Sequence, residues 1–359
     1  MNTARSPKAD SWFNQLDYLR FFVVLWVVGY WHLAGFVTHQ GDRYWLSGLT
    51  QTGLGLLTMI SGYLAHRKGW PASSRRFLLE RFVRLYPLFA ITVILYYVLG
   101  VYTIDATWKM LSLLAVAYGP PYPLTLWFVV MLFNFDIGYA VVARLRQFRY
   151  RWLFYACLVA GIAAWAVLVR PFQDLILEYG TPFVIGVALA SGRLNRKYAT
   201  IAAAVVLPVA VYLFDQHILW KQARYTFLIV SASFLVFVIA QAVHRPNRAD
   251  KVFRWLAYCT FGMYLFHRLV YIGLKHLWMP AGRNAGYAYL WTAGIGLVIL
   301  ASWVVQTGYD RLVDAVRSAW RGRRRSAARS PMPTEPASAI EVVPVEGATV
   351  SVWDEPEAG

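Results

Sequence analysis

Residues 16–36 read LDYLRFFVVLWVVGYWHLAGF. The stretch is long and apolar enough to cross a bilayer as one helix, because roughly 20 residues rising ~1.5 Å each span about 30 Å of hydrocarbon. It nevertheless holds Arg20 near its start and His32 well inside. An ionisable group at membrane depth costs about 3 kcal/mol or more unless it is paired or faces water, so each such residue is a candidate functional position. His32 stands well short of the polar stretch His39-Gln40-Gly41-Asp42, whose own histidine reads as a wetted loop residue. A neutral imidazole that can gain or lose a proton at that depth suits a general base.

The rest of the chain continues the pattern. Of 359 residues, 58% are hydrophobic and 15% charged, and the mean hydropathy is +0.45. That is too apolar for a soluble domain of ordinary composition. Marking off apolar runs predicts an all-α, polytopic membrane bundle of about ten transmembrane helices, at about 16–38, 45–65, 82–101, 122–143, 152–170, 179–192, 199–214, 224–243, 254–276 and 285–308. The N-terminus, the loops 66–84, 144–151, 193–197 and 244–254, and the tail collect most of the 35 Lys and Arg. The opposite side keeps Arg43, Lys109, Arg170, Lys221, Arg224, Lys275 and Arg283. Positive charge marks the cytoplasmic side, so both termini are expected there. The net charge of +17 therefore points to topology and anionic lipid rather than nucleic acid.

Residues 1–14 read as a cytoplasmic segment with no cleavable signal, 15–310 as the membrane domain, 311–325 (RLVDAVRSAWRGRRR) as a basic amphipathic helix on the inner leaflet, and 326–359 as a disordered tail. Cys157 and Cys259 both fall in apolar runs, and there is no Asn-x-Ser/Thr acceptor, so neither disulfides nor glycans are expected. No internal repeat of the transporter kind is evident.

Besides Arg20 and His32, the ionisable residues to account for are Asp136, Glu178, His267 and Arg268, and the loop-edge Arg75, Arg76, Arg81 and Arg84. Asp136 and Glu178 read equally well as polar contacts between helices. Arg268 can snorkel or pair, with His267 supporting that contact.

In chain order, LDYLR and the run to His32, SGYL at 61–64, RRFLLERFVRLYPLF at 75–89, LWFVVML from Leu126 and FGMYLFHRLVY at 261–271 resemble the acyltransferase 3 family of integral membrane O-acyltransferases. The resemblance covers most of 16–310. It implies transfer of an acyl group, acetyl in the first instance, from cytoplasmic acyl-CoA to a hydroxyl of a carbohydrate, glycolipid or cell-envelope glycan, in the inner or plasma membrane, with no metal. It also implies that Arg20 and His32 are the catalytic pair. The family's usual spacing is eleven, whereas here it is twelve, with Trp31 at the expected place. At about 100° per residue, eleven steps return to within about 20° of one face and twelve leave about 120°. A single-turn bulge between Val24 and Trp31, near Gly29, is therefore predicted.

A sugar hydroxyl needs a base to remove its proton as the oxygen attacks a thioester, and the oxyanion needs a donor. His32 supplies the base, acting on the acceptor or as an acylated intermediate. Arg81 and Arg84, one turn apart on one face with Glu80 on another, suit the donor's phosphates, and Pro87 is expected to bend or begin the third crossing and turn Tyr86 inward. Ser61 and Gly62 permit close approach by a ligand or by another helix. GPPYPLTLW at 119–127 cannot be regular helix, Trp127 is a candidate acceptor wall or belt residue, and His267 a candidate substrate contact. TWKMLSLLAVAY at 107–118 is too short to span and reads as re-entrant or interfacial. A polysaccharide exporter would share the helices and buried charges. Pure transport, however, does not need a histidine reachable from both the thioester and the acceptor.

Overall fold

The computed structural model describes residues 7–37, 44–116, 126–146, 152, 156, 176–218, 221–243 and 248–329. Among them every regular element is helical. In chain order they are α1 (Pro7–Trp26), a π-helical segment π1 (Val27–His32), α2 (Leu33–Val37), α3 (Tyr44–His66), α4 (Ser74–Val98), α5 (Ile104–Leu111), α6 (Trp127–Leu145), π2 (Ile176–Gly180), α7 (Thr181–Ala190), α8 (Arg196–Asp215), α9 (Lys221–Val243), α10 (Asp250–Leu277), α11 (Arg283–Tyr289), π3 (Leu290–Gly294) and α12 (Ile295–Arg329). The expected crossing at 152–170, nearly all of GPPYPLTLW, His39, Cys157 and the tail beyond Arg329 lie outside the described residues.

Two compact units meet in the chain between Tyr309 and Asp310. In the second, the basic stretch is helical and continues through Arg329, past the Ser326 where the sequence reading ends order. Its Leu312 and Val316, one turn apart, are exposed.

Five helices of the described residues are long and apolar enough to span: Gln15–Val37, Trp127–Leu145, Arg196–Asp215, Ala223–Val243 and Arg283–Ala319. The elements α3, α4 and α10 are not among the five, since their Ser/Thr/Gly, Arg and His residues lower their hydropathy. Of these, α4 and α10 carry the Arg and His side chains of the candidate site.

Helices α1 and α10 lie side by side and parallel. Tyr18 stacks on Phe253 with centroids 3.9 Å apart, His32 meets His267 at 4.7 Å, and Phe36 meets Tyr271 at 5.5 Å. The residue offset is the same in all three pairs, so the two helices keep one register over their whole contact. An antiparallel pair could not do this, because its offsets would change with every turn.

The α3–α7 crossing is set by two glycines. A Cβ on Gly62 would lie 2.1 Å from the Phe183 carbonyl oxygen, and one on Gly186 would lie 2.1 Å from that of Met59. Each glycine faces the other helix's backbone, which is how small residues let membrane helices touch. Of the two occupants the sequence allows at Gly62, a ligand or another helix, the space is filled by α7. Ser61 beside it is half-buried.

Helix α4 begins at Ser74, earlier than expected, because the Ser73 side chain accepts from the Arg76 amide and starts the helix in the basic stretch. Pro87 therefore lies inside the helix and does not begin it. After α4 ends, α5 folds back along it, until the Tyr86 hydroxyl donates to the Leu111 carbonyl at 2.8 Å. Twelve residues separate Tyr86 from the end of α4, so the chain returns by about 18 Å. The segment turns back on α4 and buries Met110, Ala115 and Val116.

Candidate active site

The bulge predicted in the first helix is present as π1, Val27–His32. One residue absorbed by the wider turn removes about 100° of rotation and brings Arg20 and His32 back to nearly one face. It does not bring them together. Twelve residues of helix still separate them by about 18 Å along the axis. The two side chains therefore occupy one face at two levels.

The Tyr271 hydroxyl reaches the π1 turn, donating to the Val28 carbonyl at 3.3 Å. Gly29 lies in the same turn, where a Cβ would press on Ile295 at 2.9 Å. The second and third π segments border the same region. Gly294, the last residue of π3, packs on the Tyr271 ring, and Tyr179 of π2 lies near Phe128, which contacts Tyr264, itself beside His32. Among the described residues, every π turn thus adjoins one cluster of rings.

At its centre His267 Nε2 and His32 Nδ1 are 2.9 Å apart. His267 is fully buried, and its Nδ1 lies 2.9 Å from the Tyr264 carbonyl and 3.2 Å from that of Met263. Carbonyl oxygens only accept, so Nδ1 of His267 carries the hydrogen. In the neutral ring Nε2 is then an acceptor, and the hydrogen between the two rings belongs to His32 Nδ1. That assignment leaves Nε2 of half-buried His32 as a bare lone pair. A backbone carbonyl thus fixes, through one ring, which nitrogen of the next can take a proton.

The second group lies at the other end of the first helix. Arg20 contacts Asp17 at 3.8 Å, and the charges of Arg81 and Arg84 reach it from α4. Arg81 Nε lies 3.6 Å from buried Asp136 on α6, and its guanidinium sits 5.5 Å from the Phe77 ring. Arg84 is exposed, and no carboxylate of the described residues is within ion-pair distance of it. Glu80 turns away to exposed Arg76 at 2.8 Å. Three guanidiniums gathered at one helix end, with only part of their charge balanced, suit a phosphorylated ligand. Arg75 and Arg76 are exposed and stand apart from this group.

Tyr86 stacks on Phe82 at 4.2 Å, and its hydroxyl is committed to Leu111, so only its ring is offered to a ligand. Trp127 begins α6 against Tyr179 at 5.7 Å, linked to His32 through Phe128 and Tyr264. His267, expected at the substrate, instead lies behind His32. The sequence reading missed Tyr264 and Tyr271. Both stand at helical spacing from His267, three before and four after, so a face drawn around that histidine would have found them. No group of three His, Cys, Asp or Glu among the described residues is placed to hold a metal.

The family model described as "Acyltransferase domain" matches residues 13–307, a span that contains both groups. No curated protein and no solved structure matches the chain.

Proposed function

The chain belongs to this acyltransferase family and is a membrane acyltransferase, and from that premise we propose that it moves an acetyl group from cytoplasmic acetyl-CoA to a hydroxyl of a carbohydrate of the cell envelope. The observation that carries the reading is the His32–His267 hydrogen bond. It leaves an unprotonated Nε2 facing the reaction and a second ring to share the charge that follows.

Nε2 of His32 takes the acceptor's hydroxyl proton as its oxygen attacks the thioester carbon. The C–O bond forms, the carbonyl becomes an oxyanion, and the imidazolium that results shares its charge with His267. When the intermediate collapses, the C–S bond breaks and the thiolate leaves as the thiol by taking the proton from His32. No covalent acyl-enzyme is required by this sequence. The nucleotide end of the donor is held by Arg20, Arg81 and Arg84, and the ~18 Å of helix between Arg20 and His32 matches the reach of an extended pantetheine arm. Donor phosphates and transferred acyl group then occupy the two ends of one helix face.

The parallel register of α1 and α10 supports a topology in which both cross in the same direction, as the first and ninth of ten spans with cytoplasmic termini. The excess of Lys and Arg in the loops on that side supports a cytoplasmic position for Arg81 and Arg84, where acyl-CoA is found.

Purified full-length protein, given acetyl-CoA and a panel of envelope glycans, is expected to release CoA with at least one of them. His32→Ala is expected to abolish that release while inserting and folding normally. Unchanged release by well-folded His32→Ala would remove the assignment, and glycan movement across sealed vesicles without CoA release would favour export.

A further inference from the structure

Arg268 follows His267 in α10 and is turned about 100° from it. Its guanidinium lies 5.8 Å from the Phe36 ring. Phe36 is one turn beyond His32 on the same face of the first helix, away from Arg20, Arg81 and Arg84. A cation therefore stands past the reacting histidine, opposite the donor end, and its charge reaches both imidazoles.

The surroundings of this cation are incomplete. Its Nε is sealed from solvent and, among the described residues, has no hydrogen-bond acceptor and no carboxylate within ion-pair distance. The residue as a whole is only half-buried, so its terminal nitrogens are the groups left open to a ligand while Nε is not. A face of Phe36 relieves part of the burial penalty, but a ring accepts none of the guanidinium's hydrogen bonds. A guanidinium held at membrane depth with an unused donor is balanced best by an anion, which it grips through paired N–H groups.

We propose that Arg268 binds a phosphate or carboxylate carried by the acceptor, so that the saccharide whose hydroxyl reaches His32 is an anionic one. This rests on the acyl-transfer reading above. The hydroxyl and the anion would lie about one helical turn apart, the rise from His32 to Phe36. A uronic acid residue or a sugar phosphate meets that requirement, and a neutral hexose does not.

The test uses full-length protein in detergent and three probes: methyl glucoside, methyl glucuronoside and glucose 1-phosphate. Calorimetry reads binding up to millimolar probe, and CoA release from acetyl-CoA reads transfer. At least one anionic probe is expected to bind tenfold or more tightly than methyl glucoside, and which of the two does so identifies carboxylate or phosphate. Arg268→Gln is expected to erase the preference, whereas Arg268→Lys, which keeps the charge but loses the planar fork, retains part of it. Equal binding of all three, binding of none, or a preference that survives in Arg268→Gln overturns the proposal. An Arg268-dependent preference without consumption of acetyl-CoA supports the anion site and counts against acyl transfer.

Discussion

The two ends of the first helix face solve the problem of charge in a membrane differently. At the Arg20 end, Arg20 on the first helix is joined by Arg81 and Arg84 of α4, and the three are only partly balanced by Asp17 and Asp136. About 18 Å further along, two imidazoles complete each other and end on backbone carbonyls. The Arg20 end holds positive charge that is not fully balanced, and the His32 end holds a proton acceptor without a permanent charge. On the proposed reaction, donor binding and proton transfer are separated along one helix, and substitutions at the two ends should separate kinetically.

After the loss of activity expected of His32→Ala, the largest effect is expected at His267. Leu in its place removes the acceptor of the His32 Nδ1 hydrogen and frees the ring to rotate or take the other tautomer. General-base contributions of ~10²–10⁴-fold set the scale, so His267→Leu should lower kcat by about 100-fold while the KM for donor changes little. His267→Gln supplies a carbonyl oxygen that can accept the same hydrogen, and should recover part of the loss. Equal defects in the two variants, measured as CoA release, would reduce His267 to a packing residue.

This comparison also explains what the sequence could reveal. The cations at the Arg20 end were legible because Arg81 and Arg84 share one turn of one helix, and spacing within an element survives folding. The bulge was legible for the same reason, since twelve steps from Arg20 to His32 do not close on a regular helix. The partnership of His32 with His267 was not, because it depends on the register between α1 and α10, more than two hundred residues apart. Gly62 was legible only in part. A small residue states that something comes close, and the sequence does not say whether that is a ligand or, as here, the backbone of Phe183. Helix ends such as Ser74 shifted because a capping serine competes with hydropathy in deciding where a helix begins.

A smaller, opposite signature is expected at Arg84, which is exposed and has no carboxylate nearby among the described residues. Arg84→Gln removes one charge-assisted contact, worth about 1.5–3 kcal/mol when made to an ion. It should raise the KM for acetyl-CoA roughly tenfold, leave kcat close to normal, and flatten the dependence of KM on salt. A kcat defect as large as that of His267→Leu would erase the division between the two ends.

The smallest effect, and the finest test of how the Arg20 end is arranged, lies at Asp136. Its Oδ2 is near Arg81 Nε while Oδ1 is buried without a partner. Engaging Nε leaves the two terminal nitrogens of Arg81 to the donor, so Asp136 acts by holding the guanidinium in place. Asp136→Asn should raise the donor KM a few-fold with kcat nearly unchanged. Residues in contact couple by ~0.5–3 kcal/mol in double-mutant cycles, so the Asp136→Asn effect should vanish in an Arg81→Gln background. If it persists there at full size, Asp136 reaches the donor by some route other than Arg81, and the orphaned Oδ1 becomes the atom to follow.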